Sequence, residues 1–258
     1  MSYALITGAS SGIGLEFAKV FAKNKINIVI VARNLEKLNE LANEIESTYD
    51  IKVEAIDLDL SESENIFILY EKICELGIEI TYLINNAGFG LNGEFTDLNL
   101  RKQQEMIRLN IESLTTLTWL FAKLMKKRKN GYILNVASVA GFFPGPFMSV
   151  YYATKAYVVS FTLALSHELK PYNIVVNSLC PGPTASNFAE NAGMGNALLF
   201  KLMPLPSSKD VAEYGYNQLK NRNIISVHGI HNKLNVFISR FITRKLMLNI
   251  IAKIQKNR

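Results

Sequence analysis

Tyr151 and Lys155 stand four residues apart, so on a helix both side chains lie on one face. A free phenol, with a pKa of about 10, is a poor acid–base group at neutral pH. An ammonium beside it favours the phenolate and brings the phenol into a useful range. Such a pair suits proton transfer to an oxygen that gains charge, as a carbonyl oxygen does when its carbon accepts hydride. Ser138, upstream, offers a hydroxyl to hydrogen-bond that oxygen. Tyr-x-x-x-Lys recurs on many solvated helices, and Tyr152, three residues before Lys155, is a rival that spacing alone does not exclude.

A hydride must come from somewhere, and the other end of the chain offers a place for its donor. A short apolar run, Tyr3–Ile6, leads into Thr7-Gly8-Ala9-Ser10-Ser11-Gly12-Ile13-Gly14 and then a helical pattern. Glycines let the backbone turn tightly and approach a pyrophosphate, whose charge the helix N-terminus stabilises. The turn between strand and helix makes Gly8, Ser10, Ser11, Gly12, Ile13 and Gly14 candidate dinucleotide contacts. At the end of the second strand, where an acid would grip a ribose hydroxyl, stand Ala32-Arg33-Asn34. Arg33 suits a 2′-phosphate through charge-assisted hydrogen bonds, which predicts NADP(H) over NAD(H). The bland alternative is a solvated arginine at a helix start. Asn85-Asn86-Ala87-Gly88 after the fourth strand reads as an ordinary turn or, beside the glycine turn, as a loop against the cofactor.

The elements that must position these groups are legible as alternating periods. Apolar runs at Tyr3–Ile6, Asn27–Val31, Lys52–Ile56, Tyr82–Ile84, Tyr132–Val136, Ile174–Ser178 and Ile224–Val227 predict about seven strands. Between them, sets such as Leu15, Ala18, Phe21 and Ala22 recur at helical spacing. Strand–helix alternation of this kind predicts an α/β fold: a doubly wound, Rossmann-like parallel sheet with helices on both faces. No linker, repeat or low-complexity block divides the 258 residues, so residues 1–258 read as one domain. Ligands of such sheets sit beyond the carboxyl ends of the strands, where the candidate residues cluster.

Composition narrows the classes further. Apolar residues make up 49% of the chain and charged residues 19%, enough for a sizeable core. Cys74 and Cys180 are far apart in no metal-ligand spacing, which argues against a disulfide scaffold and fits a reducing cytoplasm. The three histidines, His167, His228 and His231, suggest no metal site. No secretory leader is read at Tyr3–Ile6, and no apolar run is long enough for a spanning helix.

Taken together, the sequence resembles the short-chain dehydrogenase/reductase family of the classical type. The likeness runs from Tyr3 to about Phe188 and rests on elements in order. These are Gly8, Gly12 and Gly14; Asn85–Gly88; Asn110 in Leu-Asn-Ile; Ser138; Tyr151 with Lys155; and Pro181-Gly182. The resemblance implies that Tyr151, not Tyr152, is the acid/base and that Ser138 orients the carbonyl. It further implies that Lys155 binds the nicotinamide ribose and lowers the Tyr151 pKa, and that Asn110 holds a relay water. By the same match Asp59 and Leu60 border the adenine, Asn86, Ala87 and Gly88 the cofactor ribose, and Pro181, Gly182 and Ser186 the nicotinamide. Ser186 stands where the family often has Thr. The likeness is nearest to bacterial members with Asn-Asn-Ala-Gly-Phe-Gly, here Asn85–Gly90, and a long basic tail. These resemble relatives acting on ketosteroids and long-chain 3-ketoacyl groups, an analogy at fold level.

Beyond the shared elements, Val139–Met148 with Phe89, Phe95 and Phe188 reads as an aromatic, uncharged wall, or else as plain core. It favours a small hydrophobic ketone, aldehyde or alcohol as partner. The resemblance implies a substrate lid at residues 189–207, rich in leucine and methionine from Met194 to Pro206. From Tyr214 to Arg258 there are nine Lys or Arg and no Asp or Glu, so the rest of the chain, with 19 basic and 22 acidic residues, is net negative. Residues 232–258 read as a basic amphipathic extension that packs on the body or a second subunit in preference to a peripheral membrane contact. No nucleic-acid motif accompanies it. The expectation is a cytoplasmic NADP(H)-dependent homodimer or homotetramer; the rival readings are a catalytically silent dinucleotide-binding regulator and a membrane-associated 3-ketoacyl or steroid-type reductase.

Overall fold

The structure is a computed structural model that describes residues 2–193 and 205–255. Among the described residues the seven strands are β1 (Tyr3–Thr7), β2 (Asn27–Ala32), β3 (Val53–Asp57), β4 (Ile80–Asn85), β5 (Gly131–Val136), β6 (Ile174–Cys180) and β7 (Ile225–Val227). All pair in parallel, in the order β3-β2-β1-β4-β5-β6-β7. The chain winds outward from β1 to β3, crosses back to place β4 beside β1, and continues to β7. A crevice therefore opens at the carboxyl ends of β1 and β4.

Successive strand residues feed opposite cores. Ala4 and Ile6 join Ile28 and Ile30 under α1 (Gly12–Lys23) and α2 (Leu35–Thr48), with Val211 and Leu219 of a later helix, Ser208–Lys220. Leu5, Val29 and Leu83 face α3 (Ser63–Glu75) and the helix Leu114–Arg128 on the other side. Both faces are apolar because both are covered, which is why the strands read as near-continuous Val/Ile/Leu runs. In chain order the helices after α3 are α4 (Leu100–Ile107), α5 (Leu114–Arg128), α6 (Ser149–Leu169), α7 (Phe188–Asn191), α8 (Ser208–Lys220), α9 (Ile230–Ile238) and α10 (Arg244–Gln255). One π turn, Arg108–Ser113, joins α4 to α5.

The C-terminal helices fold back over the carboxyl edge of the sheet. Val236 of α9 packs with Cys180, Val227 and Phe142, and Ile251 of α10 packs with Met148, Tyr151 and Tyr152. The expectation that the tail's apolar residues pack on the body therefore holds for one face only. Ile230, Leu234, Phe237, Ile238 and Phe241 stay exposed, because six apolar positions over the twelve residues 230–241 make a stripe wider than the edge beneath it. Most of the expected lid, residues 194–204, lies outside the described residues.

Phe21 anchors the α1 core: it is fully buried, with Tyr82 and Tyr216 rings edge-on at 5.2 and 5.1 Å. Phe21→Ala should cost about 3–5 kcal/mol of unfolding free energy in urea denaturation. Trp119→Ala, at a side chain 60% exposed that only flanks Lys123, should cost under about 1 kcal/mol. Equal losses at the two sites would contradict this packing.

Candidate active site

The glycine turn leaves β1 and enters α1 without a conventional cap. Ser11 makes no side-chain hydrogen bond to the first turn of α1, and no acid stands there. The first amide groups of the helix are thus left for an anion. Gly14 has no room for a side chain: a β-carbon would collide with the Gly8 carbonyl and the Asn86 amide. Close packing of turn on helix needs that glycine. A dinucleotide's bridging pyrophosphate suits this cradle, and Gly8, Ser10, Ser11, Gly12 and Ile13 all line the cavity beside it.

Asn86, which lines the cavity, also ties two loops together. Its Nδ2 donates to the carbonyls of Thr7 at 2.9 Å and Gly8 at 3.3 Å, while the Thr7 hydroxyl accepts from the amides of Asn86 and Ala87 at 3.0 Å each. The loop after β4 is pinned to the turn after β1, and Asn86, Ala87 and Gly88 line the cavity beside it. Below it, Thr118, Asn85, Asn135 and Thr162 form a buried chain across β4 and β5. Asn85 Nδ2 donates to Thr118 Oγ1 (2.9 Å) and Asn135 Oδ1 (2.8 Å), and Asn135 Nδ2 donates to Thr162 Oγ1 (3.0 Å).

Arg33 projects from the end of β2 into the same cavity, with Nη1 3.7 Å from Asp59 Oδ2 and 3.8 Å from Glu105 Oε1. Its side chain is 68% exposed, so these contacts hold it loosely and leave most of its donors open. Burial works against the Asp59 carboxylate, yet two hydrogen bonds from Ser61 and the Arg33 charge outweigh it and hold the pKa below the usual value. Leu60 completes that end.

At the other end, α6 presents Tyr151, Tyr152 and Lys155, all less than a tenth exposed. The two tyrosines part company here. The Tyr152 hydroxyl accepts from Gln255 Nε2 of α10 at 2.6 Å, whereas the Tyr151 phenol lies within hydrogen-bonding reach of Ser138. The Ser138 hydroxyl also donates to the Pro181 carbonyl at 3.3 Å and accepts from Ala140 N at 3.1 Å. Lys155 Nζ donates to the Val136 carbonyl at 2.8 Å and sits 5.9 Å from the centre of the Tyr151 ring.

The implied lowering of the Tyr151 pKa is not what the protein alone produces. Burial pushes the phenol well up, and the Ser138 hydrogen bond only partly offsets it. The same burial pushes Lys155 down to about 8, with the nearby Cys180 opposing. A dry site disfavours phenolate and ammonium alike, and the lysine is aimed at a carbonyl. Cys180, at the end of β6, is driven up to about 11 by burial, with its Ser178 hydrogen bond and the Lys155 ammonium opposing.

Asn110 is set apart. Its amide donates to the Phe89 carbonyl (3.0 Å) and Thr154 Oγ1 (3.1 Å), and its oxygen accepts from Phe89 N (3.2 Å). The side chain is spent as a clamp between the β4 loop and α6, so anything it offers a water comes from the main chain. That residue lies in the π turn, where the helical hydrogen-bond ladder skips a link, a feature frequent at functional sites.

One cavity of about 530 Å³ joins these parts, from Arg33 through Ser138, Tyr151 and Lys155 to Pro181, Gly182 and Ser186. Of the candidates, Gly14 lies beneath it and Asn110 behind it. Phe89, Phe143, Met148 and Phe188 supply an apolar wall. Phe95 does not: it is 58% exposed, carried outward on the loop before α4. Phe142 packs instead beneath α9. Sequence reasoning missed Asn232, Asn235, Ile251 and Gln255, the tail residues that close the far end. Polar residues three apart on a largely apolar helix were the only local hint.

The described chain is similar to several known proteins. The family model for short chain dehydrogenase matches residues 2–196. Human 17-beta-hydroxysteroid dehydrogenase type 3 is 38% identical over 185 residues, 69% of this chain and 58% of its own. The very-long-chain 3-oxoacyl-CoA reductase of Anas platyrhynchos is 35% identical over 193 residues, 73% of this chain and 62% of its own. The chain thus spans about three-fifths of these curated relatives. A short-chain dehydrogenase from Sphingobium yanoikuyae, solved in complex with NADPH, is 30% identical with a TM-score of 0.83, covering 96% of this chain and 95% of that one.

Because the fold depresses the Lys155 pKa, the folded chain holds this proton less tightly than the unfolded one. The unfavourable contribution is present at neutral pH and fades as pH rises from about 8 towards 10.5. NMR titration of lysine labelled with carbon-13 at Cε should show a resonance moving near pH 8 that is missing in Lys155→Met. Its absence from the wild-type spectrum would contradict the burial argument.

Proposed function

The chain belongs to the short-chain dehydrogenase family, and on that premise we propose that it is an NADP(H)-dependent oxidoreductase interconverting a hydrophobic ketone or aldehyde and its alcohol. The observation that carries the reading is the division of labour on α6. Tyr151 turns its phenol to Ser138 inside the cavity, while Tyr152 spends its hydroxyl on Gln255.

A bound NADPH supplies the hydride. The glycine turn and the uncapped start of α1 hold its pyrophosphate, and Arg33 takes the 2′-phosphate. That the related Sphingobium enzyme was solved with NADPH agrees with this preference. Ser138 fixes the carbonyl oxygen by hydrogen bonding. Tyr151 gives its proton to that oxygen as charge develops, and burial, by keeping the phenol protonated at neutral pH, maintains the state that reduction consumes. Lys155 holds positive charge beside the ring, binds ribose hydroxyls, and is close to half-deprotonated near pH 8, so its charge weakens as the medium turns alkaline. Asn110 keeps the loop and α6 in register behind the site and offers its main-chain oxygen to a relay water.

The wall of Phe89, Phe143, Met148 and Phe188 excludes water and selects an apolar substrate. Relatives named for a hydroxysteroid and a long-chain 3-oxoacyl thioester make those two classes the first to try. A homodimer or homotetramer is part of the proposal: α5 and α6 expose Trp119, Tyr157 and Leu163, apolar groups suited to a subunit contact.

Screening NADPH oxidation against ketones, aldehydes and 3-ketoacyl thioesters tests the reading directly. Tyr151→Phe should lower kcat on the order of 10²–10⁴-fold while NADPH still binds, and Tyr152→Phe should retain turnover. Arg33→Glu should raise the KM for NADPH; an unchanged value would remove the case for the phosphorylated cofactor. Tight NADPH binding with no turnover on any carbonyl would overturn the enzymatic reading.

A further inference from the structure

The outer face of α9 and α10 carries a pattern that the cavity does not use. Ile230, Leu234, Phe237, Ile238 and Phe241 recur at helical spacing along α9 and the turn after it, and all are exposed, Ile230 by 78% and Phe241 by 75%. The Phe237 and Phe241 rings touch edge to face, 5.4 Å between centres, and no described element covers them. Burying such a stripe would normally be worth more than leaving it in water, so its exposure asks for a partner.

Charge identifies the partner's chemistry. Lys233, Arg240, Arg244, Lys245 and Lys253 surround the stripe, all exposed, and none is paired with a carboxylate among the described residues. From Tyr214 to Arg258 the sequence holds no Asp or Glu that could neutralise them. A second copy docking here about a two-fold axis would set this basic patch against itself, and like charges opposed across an interface are strongly unfavourable. A nucleic acid would meet the cations but leave the phenylalanines in water. A lipid bilayer that is anionic outside and apolar just below satisfies both features.

We infer that α9 and α10 form a docking surface for an anionic lipid bilayer, with the phenylalanine stripe entering the headgroup boundary and the cations meeting lipid phosphates. The contact is peripheral: among the described residues no helix is long and apolar enough to cross a membrane. The same two helices close the cavity through Asn232, Asn235, Ile251 and Gln255, so the membrane face adjoins the substrate end. Docking places that end beside the lipid phase, from which an apolar molecule can enter. Membrane contact does not depend on the reaction proposed above, and it is tested without turnover.

Flotation of the full chain with phosphatidylcholine vesicles, with and without phosphatidylglycerol, reads the contact. The wild-type chain should float with the anionic vesicles and not with the neutral ones. The double variants Phe237→Ser with Phe241→Ser, and Arg244→Gln with Lys245→Gln, should each weaken binding on the order of tenfold. All the changes are at exposed positions, so melting temperatures should match the wild type and show that the variants fold. No flotation of the wild type overturns the inference. So does binding that only the charge variant weakens, which marks a general affinity for polyanions. A phenylalanine variant that dissociates an oligomer while flotation stays unchanged overturns it too, in favour of a subunit contact.

Discussion

Amide side chains at the carboxyl edge of the sheet hold the rest of the site in place. Asn86 ties the loop after β4 to the turn after β1, and Asn85 and Asn135 link neighbouring strands to threonines on α5 and α6. Asn85, Asn135 and their threonines are buried, where an unmade hydrogen bond is costly and a made one gains strength from the low dielectric. The network therefore does more than add stability. By spending side-chain amides internally it fixes the loops that line the cavity together with the side chains of α6. Asn110 repeats the device between the β4 loop and α6, inside a π turn that uncovers main-chain polarity.

Dryness is the second consequence. The same packing that excludes water from Tyr151, Lys155 and Cys180 pushes the phenol and thiol up and the ammonium down. Proximity of a lysine to a tyrosine is thus insufficient to make a phenolate. Where the ammonium points, and how much solvent remains, decide whether charge separation is favourable. Here Lys155 points to the Val136 carbonyl, and desolvation wins.

The C-terminal helices join the two ends of this account. Their inner side gives Val236, Met247 and Gln255 to the body, and Gln255 commits Tyr152 to a structural bond. Their outer side keeps cations and large apolar groups in the open. An amphipathic helix with one apolar stripe needs one partner, whereas stripes on both sides need two, and the body provides only one.

The fold was legible along the chain because it rests on local periods: all seven strands emerge within a few residues of their apolar runs, and both covered faces follow from uninterrupted Val, Ile and Leu. The glycine turn was legible because Gly14 answers a steric demand that no other residue meets. Tyr151 against Tyr152 was not separable by spacing, since positions three and four before Lys155 share one helical face. The resemblance chose between them, and the structure supplies the physical difference, a contact between residues 103 positions apart. Phe95 and Phe142 show the same limit from the other side. An aromatic residue records that a surface is apolar, but only the path of the backbone decides whether that surface lines a cavity, fills a core or faces water. The composition of the tail was set by the sequence. Which of its residues turn inward depends on the shape of the edge it covers, and that exists only once the sheet has formed.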